Sequence, residues 1–231
     1  MAVAIAGMSL ATYAQTADEV LQKHIDAIGG KANWDKIKSL KMTGTMSQGG
    51  MDISMTQTTV NDKGMRMDIS AMGQNGFMII TPTEGWQYMP FAGQTKPEAF
   101  PEEAVKMMKD QLNVKNTFLA DKSLYTNLAL DGQDTINSVA CYKLKVTAKN
   151  GQNMVCYIDS KTYYVVRTEA KIKMGDSAEE QEMSNNYSDF KKQPSGIVLP
   201  MTFGSQQGDI TFKTVEINKP VAENFFKPET K

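Results

Sequence analysis

Apolar and polar positions recur with a helical period at the start of the chain and with a strand period through most of the remainder. Thr16-Ala17-Asp18-Glu19 has the form of a capping box, and Val20, Leu21, Ile25 and Ile28 follow at helical spacing until Gly29-Gly30 stops the run. This predicts an amphipathic first helix, with a second short one over residues 32–37. From Leu40 the period is two: Leu40, Met42, Gly44 and Met46 alternate with Lys41, Thr43, Thr45 and Ser47. Gly49-Gly50 closes a hairpin onto residues 51–60, which puts Met46 opposite Ile53 and Gly44 opposite Met55. One face of that hairpin is therefore apolar and rich in methionine.

Three more strands are predicted over residues 65–71, 76–81 and 86–89, separated by short turn-forming stretches that imply antiparallel neighbours. Residues 90–100 form a Pro/Gly loop, and Pro101-Glu102-Glu103 opens a helix carrying Val105, Met108 and Leu112. Strands resume near Leu128 and continue over 139–148, 154–159, 163–174, 179–190, 197–204 and 210–217. Over residues 163–174, Tyr164, Val166, Ala170, Ile172 and Met174 are expected on one face, with Arg167, Glu169, Lys171 and Lys173 on the other. The pattern predicts an α+β fold: one large curved antiparallel sheet of about eleven strands, with helices over its concave face. Twist accumulates across so many strands, so the sheet must curl, and two helical segments cover only part of the resulting hollow.

Lys plus Arg number 25 and Asp plus Glu 26, a balance that lacks the basic excess nucleic-acid binding requires. One histidine, His24, and two cysteines, Cys141 and Cys156, do not make a zinc-ligand set, and no metal or cofactor is expected. Residues 2–11 are apolar and uncharged, and Thr12-Tyr13-Ala14 suits signal peptidase, so residues 1–14 read as a signal peptide cleaved after Ala14. The run is too short for a membrane span, and no cysteine near the cleavage point offers a site for lipid attachment. Residues 15–231 are then a single exported domain, soluble in the periplasm. With Asn150-Gly151 as a two-residue hairpin loop, Cys141 faces Ser160 and Cys156 faces Lys145. The thiols then share a face about 13 Å apart, beyond disulfide reach.

Nine of the 17 methionines fall between residues 42 and 89. Methionine is flexible and polarizable, which suits a surface that accepts chains of variable length. Met42, Met46, Ile53, Met55, Met67, Ile69, Phe77, Ile79, Trp86 and Tyr88 are the candidate lining of a lipid cavity, with Met107, Met108 and Phe118 of the mid-chain segment as its lid. Catalytic motifs are missing: there is no phosphate-binding glycine loop, nucleophile elbow or zincin helix. Glu102-Glu103 complements a helix dipole, and Glu179-Glu180 reads as a solvated charge cluster. No enzymatic activity is expected.

The order of the opening helix ending in Ala27-Ile28-Gly29-Gly30, the segment Glu84-Gly85-Trp86-Gln87-Tyr88-Met89-Pro90, the mid-chain helix, the hairpin over residues 142–159, and Gly196-Ile197-Val198-Leu199-Pro200 followed by Phe225-Phe226-Lys227-Pro228 resembles the LolA/LolB-like periplasmic lipoprotein carriers, in their outer-membrane lipoprotein-sorting branch. The resemblance spans residues 16–228. It implies an unclosed barrel whose mouth is lidded by helices over a cavity for acyl chains. It also implies a monomer that carries a lipidated protein or lipid, with an outer-membrane acceptor as a further partner. In the carrier an arginine ties the lid shut; neither Arg66 nor Arg167, the two arginines of this chain, aligns with it. Two other readings stand beside this one: an envelope sensor or interaction module that receives a protein segment in the same hollow, and a carboxylate-dependent hydrolase.

Overall fold

The computed structural model describes residues 15–48, 50–149, 151–172, 181–206 and 208–229. The predicted signal peptide, Lys173, Met174 and Glu179-Glu180 lie outside the described residues. Helices α1 (Ala17–Ala27) and α2 (Lys31–Trp34) lead into β1 (Ser39–Gln48), β2 (Met51–Val60), β3 (Gly64–Ala71), β4 (Gln74–Ile80), β5 (Gly85–Tyr88) and β6 (Glu98–Ala99). Helices α3 (Glu102–Met108) and α4 (Val114–Thr117) follow, with 3-10 turns at Lys109–Leu112 and Lys122–Leu124. The rest is β7 (Tyr125–Ile136), β8 (Val139–Ala148), β9 (Asn153–Asp159), β10 (Val165–Ile172), β11 (Gln181–Lys192), β12 (Val198–Ser205) and β13 (Gly208–Ile217). Thr16 caps α1 through the reciprocal box its sequence announces, accepting from the Glu19 amide while the Glu19 carboxylate accepts from the Thr16 amide.

All thirteen strands form one antiparallel sheet in the order β6-β5-β4-β3-β2-β1-β13-β12-β11-β10-β9-β8-β7. The expectation of about eleven strands fell slightly short; the strand missing from the sequence reading is β6, two residues long and lying within the predicted Pro/Gly loop. Two meanders are joined where β1 pairs with β13, with Leu40 opposite Ile217 and Met46 opposite Ile210. That pairing sends β6 and β7, neighbours in sequence, to opposite edges of the sheet. The connection between them has to cross a face, and residues 100–124 form a helical strap from edge to edge.

Register decides which residues meet beneath that strap. The β1–β2 hairpin has the predicted pairing, Met46 with Ile53 and Gly44 with Met55. The β8–β9 hairpin differs by one residue. Cys141 pairs with Asp159 and Leu144 with Cys156, because the loop is wider than two residues and is closed by a bond from the Ala148 amide to the Gln152 carbonyl at 2.9 Å. A one-residue slip turns every side chain over. The two thiols therefore occupy opposite faces, and both are free and buried. Burial pushes the Cys156 thiol up to about 12, leaving it unreactive. A bulge in β10 likewise splits its predicted face: Ala170, opposite Met154, stands on the α1 side, while Val166 lies against the cluster of Cys141 and Tyr157 on the other.

Val20, Leu21 and Ile25 of α1 pack on Leu144, Val146, Cys156 and Ile158. Trp34 and Ile37 pack on Leu40, Met42, Leu199 and Phe212, joined by Val114 and Ala120 from the strap. The Trp34 indole donates to the Ile28 carbonyl at 3.0 Å, which closes the α1–α2 corner. His24, 2% exposed, ties the strap to the body: Nδ1 lies 2.8 Å from the Tyr163 carbonyl and Nε2 3.0 Å from the Phe118 carbonyl. Burial of the ring outweighs these two contacts and lowers its pKa. Nearby, burial acts to raise the pKa of Asp121, but bonds from Ser123 and the ammonium groups of Lys31 and Lys115 prevail and hold it well below the usual carboxylate range.

Two outcomes are expected. At the β1–β13 bulge a Cβ on Gly44 would lie 2.5 Å from the Thr211 carbonyl oxygen and 2.8 Å from the Phe212 Cα, backbone atoms of β13 rather than a flexible side chain that could yield. Gly44→Ala should therefore lower the unfolding free energy in urea by about 1–3 kcal/mol. His24 takes up a proton more readily unfolded than folded, so its contribution to stability is full above about pH 6.5 and declines as the pH falls below it. The melting temperature should drop between about pH 7.5 and 5.5, and His24→Gln should flatten that dependence.

Candidate functional site

The first half of the sheet carries two apolar surfaces back to back. On the strap side, Met42 and Met46 of β1 sit opposite Gln57 and Ile53, Met55 opposite Ile69, and Met67 opposite Met78. Along this face the end near the strap is closed: Met42 and Met65 are buried, and Leu112 of the strap packs on Met65 and Ile80. Toward the β1–β2 turn the cover runs out. Met46, Ile53, Met55, Met67 and Ile69 are half-buried and stand outside every buried cluster, and Met51 at the turn is 46% exposed.

Four of the ten proposed lining residues do not belong to this face. Phe77 pairs with Asp68 and Tyr88, and Ile79 pairs with Arg66 and Trp86. Since Met67 and Ile69 point to the strap side, Arg66 and Asp68 point away, and Phe77, Ile79, Trp86 and Tyr88 go with them. The expectation of a single continuous lining is corrected on this point. The turn of β3 onto β4 sits at Met72-Gly73, so Ala71 pairs with Gln74 and the parity of β4 is fixed. A sequence clue was available: Phe77 and Ile79 alternate with Met78 and Ile80, so β4 is apolar on both sides and must be covered on both.

The second cover is the C-terminal segment. The Phe226 ring occupies the space next to Gly64, and the Phe225 carbonyl accepts from Arg66 at 3.1 Å. The three lid candidates are also dispersed. Met108 packs on Met65 and Ile80; Phe118 lies deeper, 5.4 Å from Trp34 and 6.3 Å from Phe203; Met107 is half exposed. Beneath the strap, the void between His24, Ile28, Phe118, Tyr187 and Pro200 amounts to about 20 Å³, room for about one water. Beyond the strap's reach the methionine face is left half-covered at Met46, Ile53, Met55, Met67 and Ile69. Among the described residues no group of His, Cys, Asp and Glu is placed to hold a metal, and no helix is long and apolar enough to cross a membrane.

No protein-family model and no curated protein matches the sequence. Solved structures do match the shape. A DUF1329 family protein from Desulfovibrio piger aligns with a TM-score of 0.54 at 14% identity, covering 90% of this chain and 97% of its own. A LolA superfamily protein from Nitrosomonas europaea aligns with a TM-score of 0.54 at 12% identity, covering 93% and 98%. A domain from Vibrio parahaemolyticus described as an outer membrane lipoprotein-sorting protein gives 0.52 at 12%, covering 91% and 97%. Likeness at such low identity is a statement about architecture: the chain has the LolA-like fold, an unclosed antiparallel sheet with helices over one face.

Proposed function

We propose that this chain is an exported, non-enzymatic binder of acyl chains, carrying a lipidated protein or a lipid through the periplasm toward an outer-membrane acceptor. The observation that carries this reading is the half-covered strip of Met46, Ile53, Met55, Met67 and Ile69, continuous in register with the buried end of the same face. Three of these five side chains are methionine, unbranched and polarizable, and adapt to hydrocarbon of different lengths without a fixed pocket shape. Each methylene taken from water stabilises by about 0.8 kcal/mol, so a long acyl chain seated there gains on the order of 10 kcal/mol before ordering costs. The LolA-like architecture agrees with such a role. The signal peptide over residues 1–14 belongs to the same proposal, since a carrier between membranes has to be exported.

Native mass spectrometry of the protein purified from its own cell envelope should reveal co-purifying acyl species. A stable complex with a protein and no lipid would instead favour the sensor reading. In vitro, Met55→Asp should weaken binding of a fluorescent fatty acid at least tenfold while circular dichroism stays unchanged. Tyr88→Ala, on the opposite face, should leave that binding as it was. The reverse pattern would move the lipid site to the other side of the sheet.

A further inference from the structure

On the face turned away from the helices, one guanidinium is held unusually firmly. Arg66 is 9% exposed, and its Cζ lies 5.1 Å from the centre of the Phe77 ring and 5.2 Å from that of Phe225. A cation held between two aromatic rings is fixed in place. Nε donates to Asp68 Oδ1 at 2.7 Å, one terminal nitrogen to the Phe225 carbonyl at 3.1 Å, and the other to Glu229 Oε1 at 3.2 Å. These bonds use three of the five N–H donors that a guanidinium carries. Among the described residues two donors remain without a partner on a nine-tenths buried side chain, and that side chain lines a groove of about 510 Å³ bounded by Asn75, Tyr88, Lys96 and Glu229. The volume falls in the range of small-molecule sites.

The three acceptors are not equivalent. Asp68 belongs to the same strand, and Phe225 is anchored by its ring on Arg66 and by Phe226 at Gly64. Glu229 makes the longest bond from a side chain that is 68% exposed, so its ion pair is screened by water and easily exchanged. An incoming carboxylate takes its place without stranding a charge: Glu229 returns to solvent and Arg66 keeps a counter-ion. The planar acid group matches the guanidinium fork, and the exposed ammonium of Lys96 adds a second cation at the rim. Tyr88, whose ring centre is 5.9 Å from that of Phe77, supplies an aromatic wall for a flat apolar portion of the ligand.

We propose that this groove is a second ligand site, separate from the methionine face, which takes a small molecule bearing a carboxylate beside a flat ring, with Glu229 as its displaceable internal substitute. The proposal does not depend on acyl-chain binding. It is tested by titrating N-acetylphenylalanine, and its uncharged amide as the comparison, into the full chain and into Glu229→Gln and Lys96→Ala, followed by NMR. Both substitutions alter exposed side chains, and the same spectra verify the fold. The acid should shift the amide signals of Asn75, Tyr88 and Lys96, whereas its amide should not. Affinity should rise about tenfold in Glu229→Gln, fall several-fold in Lys96→Ala and weaken with salt. Unmoved signals in both the wild-type chain and Glu229→Gln, or equal responses to acid and amide, would overturn the site. Shifts produced by inorganic phosphate but not by the acid would overturn the ligand class.

Discussion

The pairing of β1 with β13 organises everything else in this molecule. Each meander alone has two edges; joining them through these two strands uses one edge of each and leaves β6 and β7 as the margins of a single curved sheet. Because those margins are consecutive in the chain, the segment between them is obliged to traverse the hollow. The strap is thus a consequence of strand order. The close approach at Gly44, where the backbones of β1 and β13 leave no room for a side chain, shows how tightly that seam is drawn.

Much of the architecture was legible in local pattern. The capping box of α1 and the register of the first hairpin were both present in the sequence, since period, turn glycines and caps are short-range properties. The failures also have a local cause. One extra residue in the loop before β9 inverted the predicted relation of Cys141 to Cys156, and one bulged residue in β10 sent Val166 to the wrong side. The candidate site suffered in the same way: the pattern placed Phe77, Ile79, Trp86 and Tyr88 on strands without fixing which side they faced. Nothing near Arg66 in sequence announced that Phe225 would stack on it from the far end of the chain, because that contact exists only once the sheet is assembled.

The sheet consequently works as a partition. Its strap side presents methionine and isoleucine side chains with little polarity; its other side presents a fixed guanidinium, hydroxyls and an ammonium beside a C-terminal cover. Alternation along each strand is what allows two surfaces of such different chemistry to be separated by one backbone thickness. It also lets a substitution on one surface leave the chemistry of the other in place, provided the pairing is kept.

The seam has a bearing on how the protein comes into being. β1 is the first strand of the sheet to be synthesised and β13 the last, so the N-terminal meander must wait with an open edge until β13 has been made. Contacts so distant along the chain make for slow folding and prolonged vulnerability to sticking. A sheet whose central seam closes only when β13 has been made leaves its first half without a pairing partner for most of its synthesis, so the order of strands along the chain also sets the order in which the molecule can close.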